Sequence, residues 1–559
     1  MKKHIQAYIA TTIILLLLIG VGFFIYLNTQ KPNKEVISIS DDVYLVYKDE
    51  YFTDETLFRM EGDVIYISLN FIKEYIDSDI FYDEKEKMVI ITDQDKVLRY
   101  IVDEDKATIN HREFMLDLPV KEIEGQVYLP EDILSSQYGL EINFWENTRA
   151  ITIDSFNSNY IIGQVIMEGG HIRTNFDIKA PIVLENIDVE TNLFIFEEYM
   201  DWYKVRTFDG IIGFIEKKYI KIDLISNIYS TESNYSLDNM TSEKINLTWD
   251  YTNRKMENFK EANIIYGVNI LSPTWFEIID ENGNINDKGN KDYVREYKGL
   301  GYKIWPLISN GFDPDLTNKL LSSSSTREKL IKDILLLYYE YGVDGINIDF
   351  ENVHLKDRDL LTQFVRELYP VFKEKGMTVS MDVTPISVSE NWSMCYDRKR
   401  LSETVDYIIL MAYDQHWATS PVAGSVAQYT WVEESLKKVL EEVPKERLIL
   451  GLPFYTRLWT IEDTEEGEKV TSVALSMEAA KKFIEENSVS LGWDEESGQY
   501  YGEVFKEGKT YKIWVENDKS LRLKASLVNK YDLAGIATWR RGFEIEDIWP
   551  VLSQTINLN

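Results

Sequence analysis

YGVDGINIDFE, residues Tyr341–Glu351, is the stretch that decides the fold. From Gly345 onward Ile346, Ile348 and Phe350 are apolar, while Asn347, Asp349 and Glu351 are polar or acidic. On a β-strand this alternation sends each set to its own face. Ser325–Tyr341 predicts a helix before it. Ser325 and Glu328 suit a capping box, and Leu330, Ile331, Ile334, Leu335 and Tyr338 recur at helical spacing. Lys356–Lys375 predicts a second helix after it. A strand between two helices is a βαβ unit, hence parallel and covered on its outer face. A polar row in a strand ordinarily faces solvent, but these flanking helices leave no solvent face. The row must then point into a barrel or sheet interior, where unpaired polar groups are costly unless they are used. Glu351 falls at the carboxyl end of the strand, where α/β folds place their chemistry.

DGINIDFE resembles the DxxDxDxE signature of glycoside hydrolase family 18, the chitinase-like TIM barrels. Asp344, Asp349 and Glu351 stand in register with it, and Asn347 stands where the family most often has Asp. The resemblance covers roughly Ile245–Trp549. Outside the signature, that region alternates strand and helix patterns, which itself predicts an α/β barrel. Strands are expected near Ile245–Thr252, Asn263–Ile270, Tyr302–Ser309, Val343–Glu351, Met377–Val383, Val405–Tyr413, Arg447–Pro453 and Leu533–Trp539. Between the last two, about 460–530 resembles the family's α+β insertion, with a helix near Met477–Glu486 and strands near Gln499–Val504 and Thr510–Val515.

The chain of 559 residues has room for about three or four domains. Its formal net charge of −34 argues against nucleic acid and anionic lipid surfaces as partners. Cys395 is the single cysteine, so no internal disulfide forms. None of the five histidines sits at metal-ligand spacing with another, and neither metal nor cofactor is expected. Ala7–Leu27 is an apolar run preceded by Lys2 and Lys3. Its length suits a bilayer span of about 20 residues, and it lacks a small-x-small cleavage site. It predicts an uncleaved signal-anchor helix within residues 1–35, with the rest of the chain facing the wall; a cleaved signal peptide is the alternative.

Residues 40–156 carry an internal repeat: Val64–Asp93 echoes Gln126–Asp154, each reading strand, helix, strand, acidic turn, strand. The segment resembles the copper amine oxidase N-terminal-like domain. It lacks a histidine cluster, so no copper is carried over, and a spacer or interaction module is expected. Residues 158–223 read as short strands and turns, and DWYKVRTFDGIIGFIEKKYI, Asp201–Ile220, resembles a bacterial SH3-like module. Residues 224–244, rich in Ser, Asn and Thr, read as a linker to the barrel at 245–559.

The family resemblance implies the site. Glu351 would be the acid that protonates the leaving glycosidic oxygen, kept protonated by burial near Asp349. The family is an exception to the two-carboxylate scheme, because the substrate's own 2-acetamido oxygen attacks the anomeric carbon and configuration is retained. Asp349 would hold the acetamido N–H and Tyr413, in MAYD, would bond the acetamido oxygen. Asp414 would bind sugar hydroxyls. An Asp at 347 normally shares a proton or hydrogen bond with the next acid; Asn347 can hydrogen-bond Asp349 but carries no charge. Pyranose faces stack on aromatic rings. Trp539 matches the tryptophan under the reacting sugar, Trp249 and Trp275 are candidates to line the groove, Tyr455 and Arg457 match a sugar-contacting stretch, and Trp514 with Glu516 lies in the insertion's wall. The DGxNxDFE form resembles the branch of spore-cortex and cell-wall glucosaminidases. The expected function is a membrane-anchored glycosidase cutting peptidoglycan after N-acetylglucosamine. A chitin-oligomer hydrolase and a non-catalytic glycan-binding protein are the rivals.

Overall fold

The computed structural model describes residues 9, 11–21, 31–155, 160–226, 244–255, 259, 261–465 and 467–557. Ile9 and 11–21 are helical, and the apolar side chains from Ile13 to Ile19 are each more than half exposed. The rest of the expected span Ala7–Leu27 lies outside the described residues, and so does most of the expected linker. Among the described residues no helix is long and apolar enough to cross a membrane.

The chain divides into two compact units. The first holds residues 64–78 of the first repeat half, the second half of the internal repeat and the region expected to be SH3-like. In it Tyr44–Tyr47 pairs parallel with Ala150–Ser155, which pairs antiparallel with Leu140–Trp145. A second small sheet joins Val64–Ser68 and Gln126–Pro130, the matching strands of the two repeats. Residues 160–226 form a seven-stranded, mainly antiparallel sheet. Its fully buried Arg206 donates to Asp154 of the repeat and, at 3.0 Å, to the Lys48 carbonyl.

The second unit is the barrel, and it includes residues 79–101 and 106–115 of the repeat region. Eight parallel strands close the barrel. They are Ile245–Asp250, Ile270–Pro273, Lys303–Ile304 with Leu307–Ser309, Gly345–Asp349, Thr378–Val383, Tyr407–Leu410, Leu448–Pro453 and Gly535–Trp539. The last strand pairs with both the seventh and the first, which completes the circle. Two expected strands differ. The second starts at Ile270, because the Ile265 amide is taken by the Tyr302 hydroxyl at 2.6 Å and Ile264 stays 80% exposed. The third is broken at Pro306, which has no N–H to give a ladder.

The helix before the signature runs Ser324–Tyr341 and ends on Gly342 at φ +67°, where only a residue without Cβ is unstrained. The expected capping box does not form. Ser323 caps the helix by accepting from the Thr326 amide at 3.2 Å. The first free amides, of Ser324 and Ser325, donate instead to Asp83 at 3.0 Å and Glu86 at 2.8 Å. Both acids belong to a five-stranded antiparallel meander, Phe81–Met115, that packs on this helix and on Arg358–Lys373. Ile90 and Val97 of the meander share the core with Leu330, Ile331 and Leu368.

After the seventh strand the chain makes its insertion. A five-stranded sheet of Tyr455–Thr464, Gly467–Ser476, Leu491–Asp494, Gln499–Lys506 and Lys509–Val515 carries the helix Met477–Glu486.

Candidate active site

Every residue of the fourth strand, Gly345–Asp349, is buried, so its polar face has to find partners inside the barrel. At its foot Asp344 is structural. Its carboxylate accepts from the Ile304 amide at 3.0 Å and pairs with Lys298 at 2.8 Å. One layer up, Asn347 has no exposed surface. Its Oδ1 accepts from the Trp249 indole at 2.8 Å and the Ser272 hydroxyl at 3.2 Å. Its Nδ2 donates to Asp382 at 2.7 Å and to Ser380 at 3.2 Å. Asn347 is therefore a buried bridge rather than a sugar ligand, and its partner is Asp382 instead of Asp349.

Asp349 is 7% exposed, and burial pushes its carboxyl up to about 7. Glu351 follows at the strand's exit. Burial first, then the charges of Asp349 and Asp414, hold its carboxyl well above the usual range. Its backbone is fixed from the third strand's end. The Asn310 side chain accepts from the Glu351 amide at 3.1 Å and donates to its carbonyl at 2.8 Å. Tyr396 donates to the neighbouring Phe350 carbonyl at 2.9 Å. Asn352 then turns the chain out at φ +51°, a conformation asparagine tolerates better than most residues.

The sixth strand's exit is built the same way: Tyr413 is followed by Asp414 at φ +58°. Gly451 on the seventh strand makes room, since a Cβ there would meet Tyr413 Cε1 at 3.2 Å and the Leu410 carbonyl at 2.6 Å. Burial, then Asp382, Tyr455, Asp349 and Glu351, keep the Tyr413 hydroxyl protonated far above its ordinary range. Asp414 is reached by the Tyr455 hydroxyl at 2.6 Å and by Arg457 at 3.1 Å. Asp349, Glu351, Tyr413, Asp414, Tyr455 and Arg457 thus gather at the carboxyl end of the barrel. A buried carboxyl of raised pKa beside anionic neighbours is a proton donor at neutral pH.

The aromatic residues separate. Trp539 is half-buried, edge-on to Trp249 at 5.8 Å and to Tyr251 at 6.5 Å, and keeps a surface for a ligand. Trp514 is half-buried against Tyr501. Trp249, only 1% exposed, lies beneath Trp539 with its N–H spent on Asn347, so it cannot be a groove wall. Trp275 has no exposed surface and packs against Tyr293 and Tyr341. Glu516 is buried too. It pairs with buried Lys524 and accepts from Gln499 and Ser520, both at 2.7 Å, holding the insertion to the helix Asp518–Ala525. These three serve packing and not sugar binding.

Several residues escaped the sequence reading. Asp382 and Ser380 alternate with Val379, Met381 and Val383, the same signal as in the fourth strand, but without a motif to mark them. Asn310 stands alone in sequence. Phe312, in a turn, and Trp392, in the short helical segment Glu390–Met394, are each over 40% exposed and face one another at 6.4 Å, both segments being tied to Asn352. Isolated aromatics on such short segments carry no periodicity to announce them.

Comparison with known proteins agrees with this geometry. Residues 300–544 match glycosyl hydrolases family 18, and residues 48–153 match the copper amine oxidase N-terminal domain. The glycosylase YvbX of Bacillus subtilis (strain 168) is 26% identical over 285 residues, covering 49% of this chain and 80% of that protein. The cortical fragment-lytic enzyme of the same organism is 25% identical over 259 residues, 46% of this chain and 59% of that protein. Among solved structures, the C-terminal domain of a protein named as a chitinase, from Desulfitobacterium hafniense DCB-2, aligns at a TM-score of 0.50 and 26% identity. It covers 56% of this chain and all of that domain.

Proposed function

Taking the barrel as a glycosyl hydrolases family 18 domain and hence a glycosidase, we propose that it cleaves β-1,4 bonds after N-acetylglucosamine in peptidoglycan, with retention and with the substrate's acetamido group as nucleophile. The observation that carries this is Glu351. Its carboxyl is held protonated by burial at the mouth of the barrel, beside Asp349 and Asp414. In the proposed reaction Glu351 gives its proton to the leaving oxygen. Asp349 accepts the acetamido N–H and so presses the acetamido oxygen toward the anomeric carbon. The Tyr413 hydroxyl, locked in its protonated form, donates to that oxygen as charge develops on it. Water then opens the cyclic intermediate, and Glu351 recovers its proton from that water. Asp414, set by Tyr455 and Arg457, holds a sugar hydroxyl, and Trp539 carries the sugar face.

Peptidoglycan is favoured over chitin by the DGxNxDFE form and by similarity to the cortical fragment-lytic enzyme. The apolar run Ala7–Leu27 supports a wall-facing position tethered at the membrane. The test is to digest purified peptidoglycan and a chitin oligomer with residues 31–559 and to identify the new reducing ends by mass spectrometry. N-acetylglucosamine ends from peptidoglycan support the proposal. N-acetylmuramic ends would overturn it, and release from chitin alone would move the substrate.

A further inference from the structure

Asp349, Glu351 and Asp414 are joined in the barrel's mouth by a fourth carboxyl, which has no place in the reaction so far. Asp382 lies on the fifth strand and is 1% exposed. In the parallel register Asn347 faces Ser380 and Ile348 faces Met381, and continuing that register one residue sets Asp382 beside Asp349. Trp249 can only donate, so its bond to Asn347 Oδ1 fixes which end of the amide is which. The amide's N–H must then point at Asp382 Oδ1, which serves as an acceptor. That leaves Asp382 Oδ2 for a proton. Two buried oxygens of this pair, Asp382 Oδ2 and Asp349 Oδ1, have no hydrogen-bond partner among the described residues. The charge of Asp349 bears on buried Asp382, and two buried carboxyls that feel each other's charge do not readily ionise together.

We infer that Asp382 and Asp349 share one proton across adjacent strands, and that Asp382 thereby supplies the acid missing at position 347. This rests on the reading of Asp349 as the acetamido-holding group. When Asp349 takes up the substrate N–H, its O–H bond to the shared proton breaks and the proton's bond to Asp382 Oδ2 completes. Asp349 becomes the anion, Asp382 is neutral, and no proton enters or leaves. Asp382 is a positioning residue and touches no substrate. The groups bearing on it are Asp349 and Glu351 from the fourth strand and Tyr413 from the sixth, with the Asn347 amide below. Both carboxyls are driven upward, Asp382 by burial and then by Asp349. An Asn at 347 fits the same logic, because a second acid there would leave Asp382 facing another carboxylate with no donor between them.

The test compares wild type, Asp382→Asn and the exchanged pair Asn347→Asp/Asp382→Asn. The single variant should lose at least 10-fold in kcat with KM little changed, and one limb of its kcat–pH profile should move by half a pH unit or more. The exchanged pair, with a carboxyl restored beside Asp349, should recover most of that loss. Independently of turnover, the infrared difference spectrum of wild type minus Asp382→Asn at pH 8 should show one protonated carboxyl band. An unchanged profile, an exchange that rescues nothing, or a featureless difference spectrum would overturn the inference. A wild type without turnover that still shows the band would instead count against the glycosidase reading alone.

Discussion

Arg99 and Glu367, 268 residues apart in the chain, meet inside the barrel unit, where the arginine's Nη2 donates to the carboxylate at 2.8 Å. Neither side chain is more than 1% exposed. Arg327, also buried, holds the other carboxylate oxygen at 2.9 Å. One anion between two cations is stable only as a set. Glu367→Gln should therefore destabilise the unit by about 3–5 kcal/mol, because both guanidinium groups lose their buried carboxylate and Arg99 keeps only Glu328, at 3.7 Å. Urea unfolding of residues 31–559 measures it. A change under about 1 kcal/mol would mean the meander is a passive ornament.

Asn310 holds the backbone of Glu351 at both its amide and its carbonyl. Asn310→Ala should lower kcat by roughly 10- to 100-fold through misplacement of the acid. The side chain also donates to Thr317 and accepts from the Phe312 amide, and losing all four bonds should cost about 1–3 kcal/mol of stability or more. Turnover at saturating substrate, beside an unfolding curve, separates the two effects.

Trp539 and Trp275 should part company. Trp539→Ala removes a half-exposed ring and should raise KM roughly 10-fold, about 1.4 kcal/mol of stacking, with a small effect on stability. Trp275→Ala empties a site with no exposed surface and should cost about 3–5 kcal/mol of stability. Any soluble fraction should keep the wild-type KM. Steady-state kinetics of both variants checks the assignment.

Asp349 ties stability to pH. Its folded carboxyl is raised to about 7 by burial, so the folded chain holds this proton more tightly than the unfolded chain. The stabilisation is complete below the unfolded value, about 4, and is lost as pH rises through about 7. Asp349→Asn carries no such charge. It should match wild type near pH 4 and exceed it at pH 8. Paired denaturation curves at the two pH values give the difference.

The barrel was legible because strand alternation and helical spacing are both local signals, and the signature fixed Asp349 and Glu351 by number. What stayed hidden depends on partners far away in sequence. Nothing in SSSSTRE reveals that Asp83 and Glu86 would cap that helix, so a capping box was expected where none forms. Trp249, Trp275 and Glu516 were expected in the groove because strand ends and insertion walls face it. Whether a given side chain there looks outward depends on neighbours such as Asn347 and Lys524 that a linear pattern does not rank. Asp382 was missed for the converse reason: an acid at inward parity looks like any other strand residue until Asn347 is found bonded to it.

The proposed reaction stands on the proton at Glu351. Its most direct test is the turnover of Glu351→Gln against wild type on purified peptidoglycan, with new reducing ends counted by mass spectrometry and glycan binding measured in parallel. The account predicts a fall in kcat of about 1,000-fold or more, with binding within a few-fold of wild type. Release of the same ends at the wild-type rate would contradict it.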